Sequence, residues 1–211
     1  MPDTEIKICG LSTPETVDAA VDAGATHIGL VHYEPSPRHL SLEDAARLRR
    51  RIPTTVKVVL LLVNMEAVPT AQAIDAVKPD VIQFHGGETP EWLALIKDKT
   101  PFEVWKAWGV RSAESLANAL RYKGAVDMML YDAPAKKAPG GQGLALDWSL
   151  LAGHRHELPW GLAGGLSPAN VAEAIRLTGA PLVDASSGLE TAPGVKDVGL
   201  IRAFIEAVRT A

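Results

Sequence analysis

The sequence predicts a (β/α)8 barrel folded as a single domain over residues 1–211. Eight short β-rich runs alternate with amphipathic, helix-like stretches. Several runs are apolar on both faces, as strands are when buried between a barrel interior and a ring of helices. A chain of 211 residues with 47% hydrophobic content can fill such a core once but is short for two domains.

The first strand is expected at Ile6–Cys9. Ser12-Thr13-Pro14-Glu15 then opens a helix, with Pro at an early helical position, and Gly24 closes it. His27–Val31 is the second strand, and Ser41-Leu42-Glu43-Asp44 reads as a capping sequence. Val56–Val63 and Val81–Phe84 follow as strands three and four, with Thr89-Pro90-Glu91 starting the next helix. Glu103–Ala107 is the fifth strand, Ser112-Ala113-Glu114 the next helix start, and Met128–Tyr131 the sixth strand. After the longest gap comes Trp160–Ala163, then a helix start at Ser167-Pro168-Ala169, a helix stop at Gly179 and the eighth strand, Leu182–Ala185. Even spacing of eight βα units favours a closed barrel over an open doubly wound sheet.

The net charge of −4 provides no basic footprint for nucleic acid. The longest apolar run, Val58 to Val63, is far too short to cross a bilayer. The start, MPDTEIKICG, lacks the basic and apolar regions of a secretory signal, so a cytoplasmic protein is expected. The single cysteine, Cys9, excludes an intrachain disulfide and multi-cysteine metal sites.

In this fold the active site forms at the C-terminal ends of the strands. Gly140-Gly141-Gln142-Gly143 follows the sixth strand, Gly164-Gly165 the seventh and Ser186-Ser187-Gly188 the eighth. Glycine lets backbone N–H groups come close to a phosphate; each of these glycines alone better suits a tight turn, but clusters after consecutive strands of a barrel favour an anion site. Gly141, Gly143, Gly164, Gly165, Ser186, Ser187 and Gly188 are therefore candidate phosphate-site residues.

Cys9 ends strand one, and alternation puts Lys7 on the same face, inside the barrel, with Ile6 and Ile8 toward the helices. Lys7 is expected to lower the Cys9 pKa below an ordinary thiol's ~8.5. Asp132, following strand six, is the candidate general acid to the thiolate base. Arg38, after strand two, has the planar fork suited to a carboxylate. His85, ending strand four, and Asp184, ending strand eight, are candidate lining residues, Asp184 for a sugar hydroxyl. His154 and His156 precede strand seven, at the wrong end of the barrel for a role in the site.

Lys7-Ile8-Cys9-Gly10-Leu11, Ser36-Pro37-Arg38, Gln83-Phe84-His85-Gly86, Tyr131-Asp132, Leu162-Ala163-Gly164-Gly165-Leu166 and Asp184-Ala185-Ser186-Ser187-Gly188-Leu189-Glu190 occur in an order and spacing that resemble the phosphoribosylanthranilate isomerase family nearly end to end. The resemblance implies an Amadori rearrangement in tryptophan biosynthesis, with Cys9 as general base and Asp132 as general acid. It implies Arg38 on the anthranilate carboxylate, the glycine loops on the phosphate, and neither metal nor organic cofactor. The family contains monomers and homodimers. Gln142 and Leu146 depart from its usual residues at those places.

Rival readings are another phosphate-binding barrel enzyme, a dual-substrate isomerase, or a catalytically silent sugar-phosphate-binding protein. A metal-dependent epimerase needs His and carboxylate ligands at strand ends. A synthase acting on an indole precursor needs lysines there, for which Lys57 and Lys106 are the candidates besides Lys7.

Overall fold

Eight parallel strands close in chain order into a barrel, β8 pairing back onto β1. The structure is a computed structural model and describes residues 4–133 and 146–211. The strands are β1 (Glu5–Cys9), β2 (His27–Val31), β3 (Lys57–Leu62), β4 (Val81–Phe84), β5 (Glu103–Gly109), β6 (Met128–Asp132), β7 (Trp160–Leu162) and β8 (Leu182–Ala185). All eight expected strands are present. The third and seventh are trimmed at their ends, and the fifth and sixth extend further toward the mouth.

Seven α-helices are described: α1 (Pro14–Ala23), α2 (Leu42–Arg49), α3 (Ala67–Val77), α4 (Pro90–Lys99), α5 (Ala113–Asn118), α6 (Val171–Thr178) and α7 (Val198–Arg209). Among the described residues, the connection from β6 to β7 carries only a short 3₁₀ turn, Trp148–Leu150. The start signals at Thr13, Ser41, Thr89 and Ser112 each accept a backbone N–H at the head of their helix. Gly24 and Gly179 close α1 and α6 in the left-handed region, at φ of 98° and 66°. The expected start at Ser167 comes too early, because α6 begins at Val171. The Asn170 side chain instead accepts from the Ser167 N–H and donates to the Gly165 carbonyl, tying down a turn ahead of the helix.

Alternation along the strands separates two apolar layers. Ile6 and Ile8 of β1 belong, with Ile28, Leu30, Val58 and Leu60, to the layer facing the helices. The interior is filled by Val59, Val81, Trp105, Leu130 and Leu182, with Cys9, Val31 and Leu61 above them at the mouth. The floor holds His27 against Trp105, ring centroids 5.2 Å apart.

At the floor, a side chain just ahead of an even-numbered strand accepts the backbone N–H opening the preceding odd-numbered one. Thr26 takes Ile6 N–H at 2.8 Å, Asp80 takes Val58 N–H at 2.8 Å and Asp127 takes Val104 N–H at 2.8 Å. β7 and β8, in contrast, meet through one register pair, Leu162 opposite Val183. Beyond β8 the chain turns through Ser187–Leu189 into a two-stranded hairpin, β9 (Glu190–Ala192) and β10 (Val195–Lys196), before α7.

Candidate active site

The strand ends surround a cavity of about 470 Å³, inside the range of ~300–1,000 Å³ usual for small-molecule sites. Both proposed catalytic residues line it, Cys9 from the end of β1 and Asp132 from the end of β6. Arg38, His85, Gly164, Gly165, Asp184, Ser186, Ser187 and Gly188 line the same cavity. Gly141 and Gly143, with Gly140 and Gln142, lie outside the described residues; Leu146, where that segment ends, is buried in the helix-side core.

Cys9 is 5% exposed, and Gly29 on β2 stands opposite it. A Cβ on Gly29 would sit 2.9 Å from Cys9 Sγ, so the missing side chain is what gives the thiol its place. Below the thiol, Lys7 is fully buried and donates to Asp184 Oδ2 at 2.9 Å, the two residues being register partners of β1 and β8. Lys7 thus points into the barrel, as alternation requires.

Lys7 pulls the Cys9 thiol down, as expected, but does not bring it below its ordinary value. Burial pushes the thiol above its ordinary value, and the lowering by Lys7 does not overcome this, partly because the Asp184 carboxylate opposes it. Burial also raises the Asp184 carboxyl, against the pull of Lys7. Asp184 Oδ1 is buried without a hydrogen-bond partner among the described residues. A buried acceptor in that state costs ~1–3 kcal/mol until a donor arrives.

Asp132 accepts the Ala133 N–H at Oδ1, 2.7 Å, and faces His85 Nε2 at Oδ2, 3.3 Å. The Gln83 amide nitrogen approaches His85 Nδ1 at 3.3 Å. With that amide donating to Nδ1, the ring's hydrogen sits on Nε2 and is directed at Asp132. Sequence reading placed His85 in the site but missed Gln83. Its signal was position: strand residues alternate, so Gln83 faces inward two residues before His85.

The glycines divide by role. Gly164 and Gly165 lie at φ of +87° and +75°, where a side chain is strained. A Cβ on Gly164 would stand 2.8 Å from Asp132 Oδ1, whereas Gly165 has open space before it. A Cβ on Gly188 would collide with the Leu166 carbonyl. Gly164 and Gly188 therefore let loops pack closely, and Gly165 leaves backbone open to the cavity.

The site's cations are accompanied by residues to which sequence reading gave no role. Arg38 donates from Nε and Nη2 to the two carboxylate oxygens of Glu190, both at 2.7 Å. Glu190 also binds Lys196, which is buried, and Lys196 Nζ lies 3.4 Å from Ser186 Oγ. Both residues come from the β9–β10 hairpin, whose strands of three and two residues are too short to show an alternating pattern.

The family model described as N-(5'phosphoribosyl)anthranilate (PRA) isomerase matches residues 6–207 of this chain. The chain belongs to the phosphoribosylanthranilate isomerase family. Among curated members, the N-(5'-phosphoribosyl)anthranilate isomerase of Erythrobacter litoralis is 62% identical over 208 residues, covering 99% of this chain and 100% of that protein. That of Parvibaculum lavamentivorans is 48% identical, covering 98% and 99%. The crystal structure of phosphoribosyl anthranilate isomerase from Thermotoga maritima superposes with a TM-score of 0.90 at 34% identity, covering 99% of this chain and 100% of that one. Another phosphoribosyl anthranilate isomerase, solved in complex with reduced 1-(o-carboxyphenylamino)-1-deoxyribulose 5-phosphate, superposes at 0.87 with 32% identity, covering 99% and 100%.

As a phosphoribosylanthranilate isomerase, the chain has no use for the lysines that the synthase reading requires, and the structure occupies both elsewhere. Lys106 is buried and donates to Glu88 Oε2 at 3.1 Å and to the Gly86 carbonyl at 2.7 Å. Lys57 pairs with Glu103 at the exposed opposite end of the barrel, 2.6 Å apart. His156 stacks on Trp160, centroids 4.0 Å apart, away from the cavity. No helix among the described residues is long and apolar enough to cross a membrane.

Proposed function

We infer that this phosphoribosylanthranilate isomerase converts N-(5'-phosphoribosyl)anthranilate to 1-(2-carboxyphenylamino)-1-deoxyribulose 5-phosphate, the Amadori step of tryptophan biosynthesis, with Asp132 as general acid and Cys9 as general base. The observation that carries the assignment is that one thiol and one carboxyl, from β1 and β6, flank a single cavity whose rim is formed by the loops after β7 and β8. Asp132 protonates the furanose ring oxygen, the C1'–O bond breaks, and the aniline nitrogen's lone pair forms the imine. The Cys9 thiolate takes the C2' proton, and the electron pair moves into the imine to give an enolamine, which relaxes to the ketone. The substrate's own imine is the electron sink, so the step calls on no cofactor.

Supporting the binding roles, Asp184 Oδ1 awaits a donor such as a ribose hydroxyl. His85 faces the Asp132 carboxyl and holds its orientation. The backbone at Gly164, Gly165, Ser186, Ser187 and Gly188 lines the end where the phosphate would sit, and Gly141 and Gly143 belong to the same reading. The whole chain is read as one barrel domain in the cytoplasm, a monomer or homodimer, acting on a small phosphoribosyl substrate without nucleic acid, membrane or metal. The net charge of −4 supports the lack of a nucleic-acid partner, and the closed barrel supports one domain.

The test follows the decay of phosphoribosylanthranilate fluorescence. Cys9→Ser and Asp132→Asn should each lose about 10²–10⁴-fold in kcat, while still binding the reduced product analogue. Tight binding by the wild type without turnover would sink the isomerase reading. Because burial holds the Cys9 thiol above the ordinary ~8.5, alkylation of Cys9 by iodoacetamide, which needs the thiolate, should still be speeding up with pH at that value. A rate levelling near neutrality would show a thiol that burial does not raise.

A further inference from the structure

The side chain placed to receive a carboxylate already holds one, and the way it holds it matters. A guanidinium presents five N–H donors, arranged as a side edge (Nε with Nη2) and an end edge (Nη1 with Nη2). Glu190 takes one hydrogen from Nε and one from Nη2 of Arg38, so the side edge is filled, and among the described residues the end edge is not. Arg38 lines the cavity with its side chain 21% exposed, while Glu190 is 4% exposed and does not line it.

The same carboxylate binds Lys196 and accepts the Gly194 N–H at 3.2 Å. One negative charge among two cations leaves the cluster at +1, a charge that an incoming anion would balance. Burial works to raise the Glu190 carboxyl, but the hydrogen bonds from Arg38 and Lys196 prevail and keep it below the usual carboxylate range. The stem of Arg38 is fixed as well: it crosses Gly10, where a Cβ would stand 2.5 Å from Arg38 Cδ. The tip of the β9–β10 hairpin closes on the same loop, since a Cβ at Gly194 would strike the Pro37 carbonyl.

We propose that Glu190 is the positioning residue of the carboxylate site: gripped by Lys196 and by the side edge of Arg38, it turns the end edge of the guanidinium into the cavity to meet the anthranilate carboxylate. The inference rests on the reading of Arg38 given above and adds what makes that arginine selective. It also gives the β9–β10 hairpin a purpose, since that hairpin brings Glu190 and Lys196 to the loop after β2. Glu190 itself touches no substrate.

The experiment compares two ligands: reduced 1-(2-carboxyphenylamino)-1-deoxyribulose 5-phosphate and its phenylamino counterpart without the carboxyl group. Dissociation constants are measured by calorimetric titration for the wild type, Arg38→Met, Glu190→Gln and the charge-balanced double variant Glu190→Gln/Lys196→Met. The double variant guards against a single substitution that leaves a buried lysine unpaired and unfolds the chain. The wild type should prefer the carboxylated ligand, and Arg38→Met should abolish the preference. Both variants carrying Glu190→Gln should lower it about 10-fold or more, the scale of a charge-assisted bidentate contact, and Glu190→Gln alone should bind the carboxyl-free ligand within about twofold of wild type. A preference surviving in Arg38→Met would overturn the Arg38 reading and the proposal with it. A preference lost in Arg38→Met but kept or increased without Glu190 would overturn the positioning role alone, and an increase would mark Glu190 as a competitor. Equal weakening of both ligands would reduce Glu190 to a structural brace.

Discussion

A hydrogen atom at position 29 decides where the sulfur of Cys9, the proposed base, stands. With Gly29 at 2.9 Å from Sγ when given a Cβ, Gly29→Ala must displace the thiol while leaving the residue's own backbone conformation accessible. Displacing a base by a fraction of an ångström to 1 Å costs up to ~10²-fold. We therefore expect kcat to fall about 10- to 100-fold in Gly29→Ala with circular dichroism unchanged. Wild-type kinetics in that variant would show that the thiol has slack. At this scale, chain position was the legible signal. Cys9 and Asp132 end their strands, His85 directly follows β4 and Asp184 stands one residue before the end of β8, and strand ends of a barrel form its mouth. The ionisation of Cys9 was not legible, because the burial that raises it, and then Asp184, which opposes Lys7 from 177 residues away in sequence, arise only when the barrel closes. Glu190 escaped for a similar reason: it lies 152 residues from Arg38, in a motif whose serines and glycine drew the attention.

Elements were legible where local chemistry fixes them. Thr13, Ser41, Thr89 and Ser112 announce helices because a side-chain oxygen satisfies an N–H that the first turn leaves free. Ser167 carries the same signature but spends its N–H on Asn170, which no spacing rule distinguishes. The clips at the barrel floor were missed, since Asp80 and Asp127 look like ordinary loop acids until the neighbouring strand is placed. They yield a prediction of opposite character to Gly29→Ala. Asp127→Ala strands the Val104 N–H and removes a partner of Lys97. It should cost ~1–3 kcal/mol in urea unfolding and leave kcat unchanged, as expected for the end of the barrel remote from the chemistry. A kcat reduced in proportion to stability would contradict this division of labour.

For the whole molecule, closure of the barrel was predictable from eight evenly spaced strands, but what fills the floor was not. His27 is the first residue of β2, as expected, and its ring is packed inside against Trp105. Burial, then the charges of Lys57 and Lys7, push its pKa down to about 3. Unfolded, the ring takes a proton near ~6.5, so the native state binds fewer protons below that value. The contribution of a neutral His27 is therefore intact above pH ~6.5 and lost as pH falls toward 3. At pH 5 the loss should reach about 2 kcal/mol. Comparing urea unfolding at pH 7 and pH 5, His27→Gln should lose about that much less than wild type. Equal losses would mean that the ring protonates in place.

The single register pair between β7 and β8 also reaches beyond the backbone. The loops growing from these two strands line the end of the cavity proposed to take the phosphate. A molecule gripped by both loops at once would act as a stitch across the least-sewn seam of the barrel. Occupancy and closure would then be one event: the enzyme is most fully a cylinder while it holds what it works on.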